Sequence, residues 1–152
     1  MQVPDQIERE VVIEAPIERV WALITEPEHV GAWFADAGAE IELRPGGAMA
    51  LSWEEHGTYR GRVDRVEPPR LFAYRGATDP GTEDTELVEG NSTLVEFTLV
   101  EEGDATRLRV VESGFSRLAI SEQEQGKRHE DNVEGWKIKV GDLAEYAGQV
   151  TA

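Results

Sequence analysis

Apolar and polar residues alternate along much of the first three quarters of this chain, and the alternation changes period near its end. From Ile7 to Glu14, Ile7, Arg9, Val11 and Ile13 share one face while Glu8, Glu10, Val12 and Glu14 share the other, the period-two pattern of a half-buried strand. Ala15-Pro16 interrupts it, and Pro16 suits the first turn of a helix with the buried stripe Val20, Trp21, Leu23 and Ile24, ending before Pro27. Glu28 to Phe34 reads as a second short helix, acidic at its start and closing on Trp33-Phe34. Strand patterns return at Ala39 to Arg44, Ala48 to Glu54 and Thr58 to Glu67, separated by Pro45-Gly46-Gly47 and His56-Gly57. After Pro68-Pro69 comes Leu71 to Gly76, then a polar loop from Thr78 to Asn91. Ser92 to Glu101 and Thr106 to Phe115 flank the turn Glu102-Gly103-Asp104, so the predicted antiparallel meander ends in a hairpin.

From about Ser121 the period becomes 3.6, with Val133, Trp136, Val140, Leu143, Ala144 and Ala147 three or four residues apart, which predicts one long amphipathic helix. Its N-terminal half, Glu122 to Asn132, is almost wholly polar and is either solvated, the simpler reading, or turned toward something other than an apolar core. Strand, two short helices, six strands and a long helix, with no repeat or linker, make one α+β domain over residues 1–152. A strongly twisted seven-stranded antiparallel sheet curls, and a single helix laid across its concave face leaves space at the end where the short helices sit.

Composition narrows what such a space is for. Thirty-one acidic and fifteen basic residues give a formal charge of −16, which repels phosphate backbones and anionic lipid surfaces and argues against nucleic-acid and membrane partners. There is no cysteine, so disulfides, thiolate metal sites and thiol nucleophiles are excluded. Met1 to Glu10 lacks the basic-then-apolar pattern of a secretory leader, and no apolar run approaches the roughly 20 residues a membrane span needs, so a cytoplasmic location is expected.

The residues also resemble a known family, the START-like SRPBCC proteins, and within them the branch named after the activator of the heat-shock-protein-90 ATPase. The resemblance rests on Ile13-Glu14-Ala15-Pro16 with Val20-Trp21, on Trp33-Phe34, and on Pro45-Gly46-Gly47. It continues through Gly57-Thr58-Tyr59-Arg60-Gly61, Pro68-Pro69-Arg70-Leu71, Glu112-Ser113-Gly114-Phe115, and Gly135-Trp136 before an apolar helix. It implies a helix-grip fold, with the sheet wrapped around the long C-terminal helix and a ligand-sized cavity between them. It implies no single activity, because the superfamily includes lipid and hormone binders, polyketide cyclases and co-chaperone domains. One departure is Gly76, at a strand end where relatives often carry tryptophan; it would enlarge or open that end of the cavity, with the 78–91 loop as a lid.

On that architecture the cavity candidates are the aromatics Trp33, Phe34, Trp53, Tyr59, Phe72, Tyr74, Phe115 and Trp136, each of which could equally be plain core. Glu112 shares strand phase with Leu108 and Val110, and Arg9 with Ile7 and Val11, so both place charge on an apolar face. Glu112 paired with a cation such as Arg9 or His129 is the structural reading; Glu112 as a polar anchor or general acid is the functional one. His129 and Asn132 precede Val133 and Trp136 by one turn and could look at the sheet beside it. His29 and His56 lack paired ligand spacing, so no metal is expected. Ser113-Gly114 is no nucleophile elbow and no phosphate-cradling loop is present, so no cofactor is expected either. The favoured function is binding of a small hydrophobic or amphipathic molecule, lipid-like or polyketide-like. The alternatives are a cyclase- or hydrolase-type enzyme using Glu112, His129 or Tyr74, and a co-chaperone-like domain for an unidentified protein partner.

Overall fold

A computed structural model describes residues 3–79 and 86–151. Strand β1 (Gln6–Ile13) leads into helices α1 (Ile17–Thr25) and α2 (Pro27–Trp33). The strands β2 (Ala39–Ile41), β3 (Ala48–Trp53), β4 (Gly57–Glu67), β5 (Leu71–Ala77), β6 (Ser92–Glu102) and β7 (Ala105–Ser113) follow, then a 3₁₀ turn at Phe115–Arg117 and helix α3 (Glu122–Thr151). The seven strands form one antiparallel sheet in the order β1-β7-β6-β5-β4-β3-β2, so β1 crosses over to close against the last hairpin. This is the α+β helix-grip arrangement expected.

Element ends differ from expectation for local reasons. Pro16 stands outside α1 as its N-cap, in extended conformation with ψ 154°, rather than within the first turn. β2 stops at Ile41 instead of Arg44, because the chain folds on itself: Arg44 N–H donates to Glu42 O and Gly47 N–H to Arg44 O, both at 2.8 Å. Only glycine fits at position 47, where a Cβ would lie 2.0 Å from Glu42 O. β7 ends at Ser113 rather than Phe115, since Gly114 turns the chain with φ 104° and Phe115 begins the 3₁₀ turn. Residues 80–85 of the predicted lid lie outside the described residues. The loop's two ends are tied down by Thr78 N–H donating to Asn91 O, and by Asn91 bonding Val88 N–H and Glu86 O through its side chain.

The core sits between the concave face of the sheet, α1 and the C-terminal half of α3, where Val20, Leu23, Leu99, Leu108, Leu143 and Ala147 are buried. Each fully buried leucine contributes about 2 kcal/mol of transfer free energy there. Residues facing inward pair across neighbouring strands in rows. One row is Val66-Phe72-Phe97-Val110 and is filled with side chains. The next is Val63-Tyr74-Val95-Glu112, and the one beyond it is Met49-Gly61-Gly76-Thr93. The inner face therefore empties toward one end of the sheet, because the third row has two glycines where side chains would stand.

Candidate ligand-binding cavity

Over this emptied end lies a cavity of about 670 Å³, floored by the sheet and covered by the polar half of α3. That volume falls in the usual range of small-molecule sites, roughly 300–1,000 Å³. Eight of the sequence-predicted residues line it: Phe34, Trp53, Tyr59, Tyr74, Glu112, Phe115, Asn132 and Trp136. The walls are aromatic and mutually packed. Phe34 stacks on Trp136 (5.4 Å, 16°), while Trp53 meets Phe34 edge-on (5.3 Å, 86°) and Tyr59 likewise (5.6 Å, 81°). Trp53 is fixed by its Nε1–H, which donates to Phe34 O at 2.8 Å.

Three predicted candidates stand elsewhere. Trp33 is core, its Nε1–H donating to Leu23 O at 2.7 Å and so tying α2 to α1. Phe72 is wholly enclosed between Trp21, Tyr74 and Phe97, one row deeper than the cavity. His129 faces β1, with Nε2 3.0 Å from Gln6 O and its ring edge-on to Phe115. Among the residues missed from sequence are Thr93, Val95 and Leu51 on the floor and Arg60, Lys127, Arg128 and Lys139 toward the rim, while Gly76, singled out at its strand end, lines the floor as well. The polar half of α3 is thus only partly solvated. Gln125 is buried and donates to Ser116 O and Leu118 O, and Arg128 donates to Thr78 O (2.6 Å) while pairing with Asp79 (3.0 Å).

Glu112 is the buried charge at the inner end, 7% exposed. Its partners are neutral donors instead of the expected cation: Thr93 Oγ1 donates to Oε2 (2.5 Å), and Trp136 Nε1 (2.8 Å) and Asn132 Nδ2 (3.1 Å) donate to Oε1. Arg9 points its Nε into a buried position without a hydrogen-bond acceptor. Burial raises the Glu112 carboxyl above the usual carboxylate range, and the bonds from Thr93, Trp136 and Asn132, with the nearby His129, offset part of that rise. Tyr74, 4% exposed, is pushed up by burial and then by the Glu112 charge, so it stays a neutral phenol.

The raised carboxyl fixes the sign of a pH effect. Between the unfolded and folded pKa values the folded protein holds more protons, so Glu112 costs stability progressively as pH rises through that window. Glu112→Gln, which cannot titrate, gains stability relative to the native protein as pH rises from the ordinary carboxylate range through the raised range in which the buried carboxyl ionises. Urea unfolding across that range reads the difference, and a flat or shrinking one contradicts the raised carboxyl.

Away from the cavity, Glu26, Glu28 and His29 bring possible ligand atoms within 4.8 Å of one another at the start of α2. His29 is engaged with Tyr146, its Nδ1 2.7 Å from the hydroxyl, and exposed acidic groups of this kind are common without an ion. Among the described residues no helix is long and apolar enough to cross a membrane.

A curled seven-stranded sheet gripping a long helix over an aromatic cavity defines a helix-grip protein of the START-like type. Residues 14–148 match the family described as Activator of Hsp90 ATPase homolog 1-like protein, and the chain belongs to that family. Among solved structures it is similar to a protein of Mesorhizobium loti (20% identity, 95% of this chain, 97% of that one, TM-score 0.77). An Hsp90 activator from Plasmodium falciparum is likewise similar (16% identity, 95% and 97%, TM-score 0.73). A protein of the dynemicin biosynthetic locus matches at 24% identity and TM-score 0.72 over 94% of this chain, which spans only 47% of that protein's length. These likenesses show the fold alone. No curated protein sequence matches the chain.

Proposed function

We propose that this protein binds a small hydrophobic or amphipathic molecule, lipid-like or polyketide-like, in the cavity between its sheet and α3. The observation that carries the reading is the 670 Å³ space above the Gly61-Gly76 floor, walled by aromatic rings and closed at its inner end by Glu112. Such a space is costly to keep empty: a cavity lined by apolar atoms forfeits dispersion contacts that an occupant restores. The neighbour from a biosynthetic locus is in keeping with a small-molecule occupant. An enzyme of the cyclase or hydrolase type is less favoured, because three donors already hold Glu112 and His129 stands outside the cavity.

Native mass spectrometry of the purified protein, followed by thermal-shift measurements with fatty acids and aromatic polyketides, tests the reading. A ligand at one hundred times its Kd adds about 2.7 kcal/mol, which raises Tm by roughly 5–10 °C in a domain of this size. A retained mass or a shift of that order supports binding. An empty protein with no shift from either class removes it.

A further inference from the structure

Resting on that reading, we propose that the cavity is built for a flat aromatic molecule bearing a hydroxyl group, which enters hydroxyl first and bonds both Tyr74 and Glu112. The two residues occupy the same inward row, on either side of Val95, so they stand two strands apart with an apolar residue between them. Neighbouring strands are about 4.8 Å apart, which puts their Cα atoms roughly 10 Å from each other, a span that two long side chains and one small polar group can bridge. They make no hydrogen bond to one another.

Their bonding capacity is incomplete in complementary ways. Among the described residues the Tyr74 hydroxyl has no hydrogen-bond partner, although Tyr74 is 4% exposed and lines the cavity. Among the described residues the buried side-chain atom left without a partner is Arg9 Nε, so the Tyr74 hydroxyl opens onto the cavity, where a bound molecule can reach it. Glu112 offers roughly four acceptor positions as a carboxylate, and Thr93, Asn132 and Trp136 fill three. The inner end of the cavity thus presents an unused donor beside an unused acceptor. A hydroxyl satisfies both at once, accepting from Tyr74 and donating to Glu112. Other head groups do less. An ammonium has no lone pair for Tyr74, a carboxylate is repelled by Glu112, and an ether or carbonyl leaves the carboxylate unanswered.

The body of the ligand follows from the walls. Phe34 and Trp136 are stacked, Trp53 stands edge-on to Phe34 and Tyr59 edge-on to Trp53, so a further ring extends an arrangement of offset and T-shaped contacts already in place. The rim discriminates little by charge, because Lys127 pairs with Asp131 (3.4 Å), Arg128 with Asp79 (3.0 Å) and Lys139 with Asp142 (3.6 Å).

Three probes of one shape separate the contributions: naphthalene, 2-methoxynaphthalene, which accepts but does not donate, and 2-naphthol, which does both. Calorimetric titration of the full chain is expected to give 2-naphthol at least about tenfold tighter than naphthalene, with 2-methoxynaphthalene between them. In Tyr74→Phe, and separately in Glu112→Gln, the advantage of 2-naphthol shrinks to under about threefold while naphthalene binds as before, which shows an intact cavity. Equal binding of 2-naphthol and naphthalene to the native protein overturns the hydroxyl proposal and leaves the cavity reading standing. Failure of all three probes to bind removes this proposal, and with the fatty-acid and polyketide screens also blank it removes the cavity reading as well.

Discussion

Trp136→Ala is expected to destabilise the protein by about 3–5 kcal/mol, the range for emptying a buried aromatic position. The indole is 6% exposed, stacks on Phe34, meets Phe97 edge-on and donates one of the three bonds that hold Glu112. Its loss therefore leaves a void and a less satisfied buried carboxyl together, and Tm drops by roughly 10 °C. Urea unfolding followed by circular dichroism measures this, with Val100→Ala as reference. Val100 is 55% exposed on the outer face of β6, and its truncation stays within about 0.5 kcal/mol. A Trp136→Ala protein within 1 kcal/mol or so of the native one shows that the indole is dispensable to the grip of the helix.

Gly76→Trp is expected to abolish binding of 2-naphthol and naphthalene alike, lowering affinity by about a hundredfold or more, as a blocked site does. A Cβ at position 76 meets Tyr74 Cε2 at 3.3 Å, which the tyrosine ring accommodates by a small tilt, and the rest of the indole projects over the Gly61-Gly76-Thr93 row into the cavity. Because the new ring enters existing space, the fold is retained and stability stays within about 1–3 kcal/mol of native. The same titration reads the result, with circular dichroism as a check on folding. Undiminished binding moves the ligand site away from the sheet floor.

What the sequence disclosed and what it hid follow from the range of each signal. Alternation is a local property, so the strands were legible within a few residues of their ends, and the phase shared by Leu108, Val110 and Glu112 pointed the carboxylate inward. Phase says which face a side chain joins but not how far along that face it stands. Phe72 and Tyr74 are both inward on β5 and one row apart, yet one is core and the other lines the cavity. Trp33 and Phe34 are adjacent and divide the same way. Thr93 was invisible because a threonine in a strand is unremarkable until register sets it beside Glu112, 19 residues away. Gly76 stood out through the family resemblance, but its partner Gly61 was hidden, since only strand pairing joins two glycines from β4 and β5 into one gap.

The borders of the sheet bear on how the chain behaves in a crowded solution. An open strand is a template on which another molecule can add its own, the first step toward fibres. One border here is β2, whose three residues offer too short a ladder to nucleate such growth. The other is β1, where Glu8 and Glu10 pair with Arg109 and Arg107 across the outer face, and where an approaching copy brings its own formal charge of −16. Growth by strand addition is thereby disfavoured at both borders, and mutual repulsion between the acidic surfaces of separate copies works in the same direction.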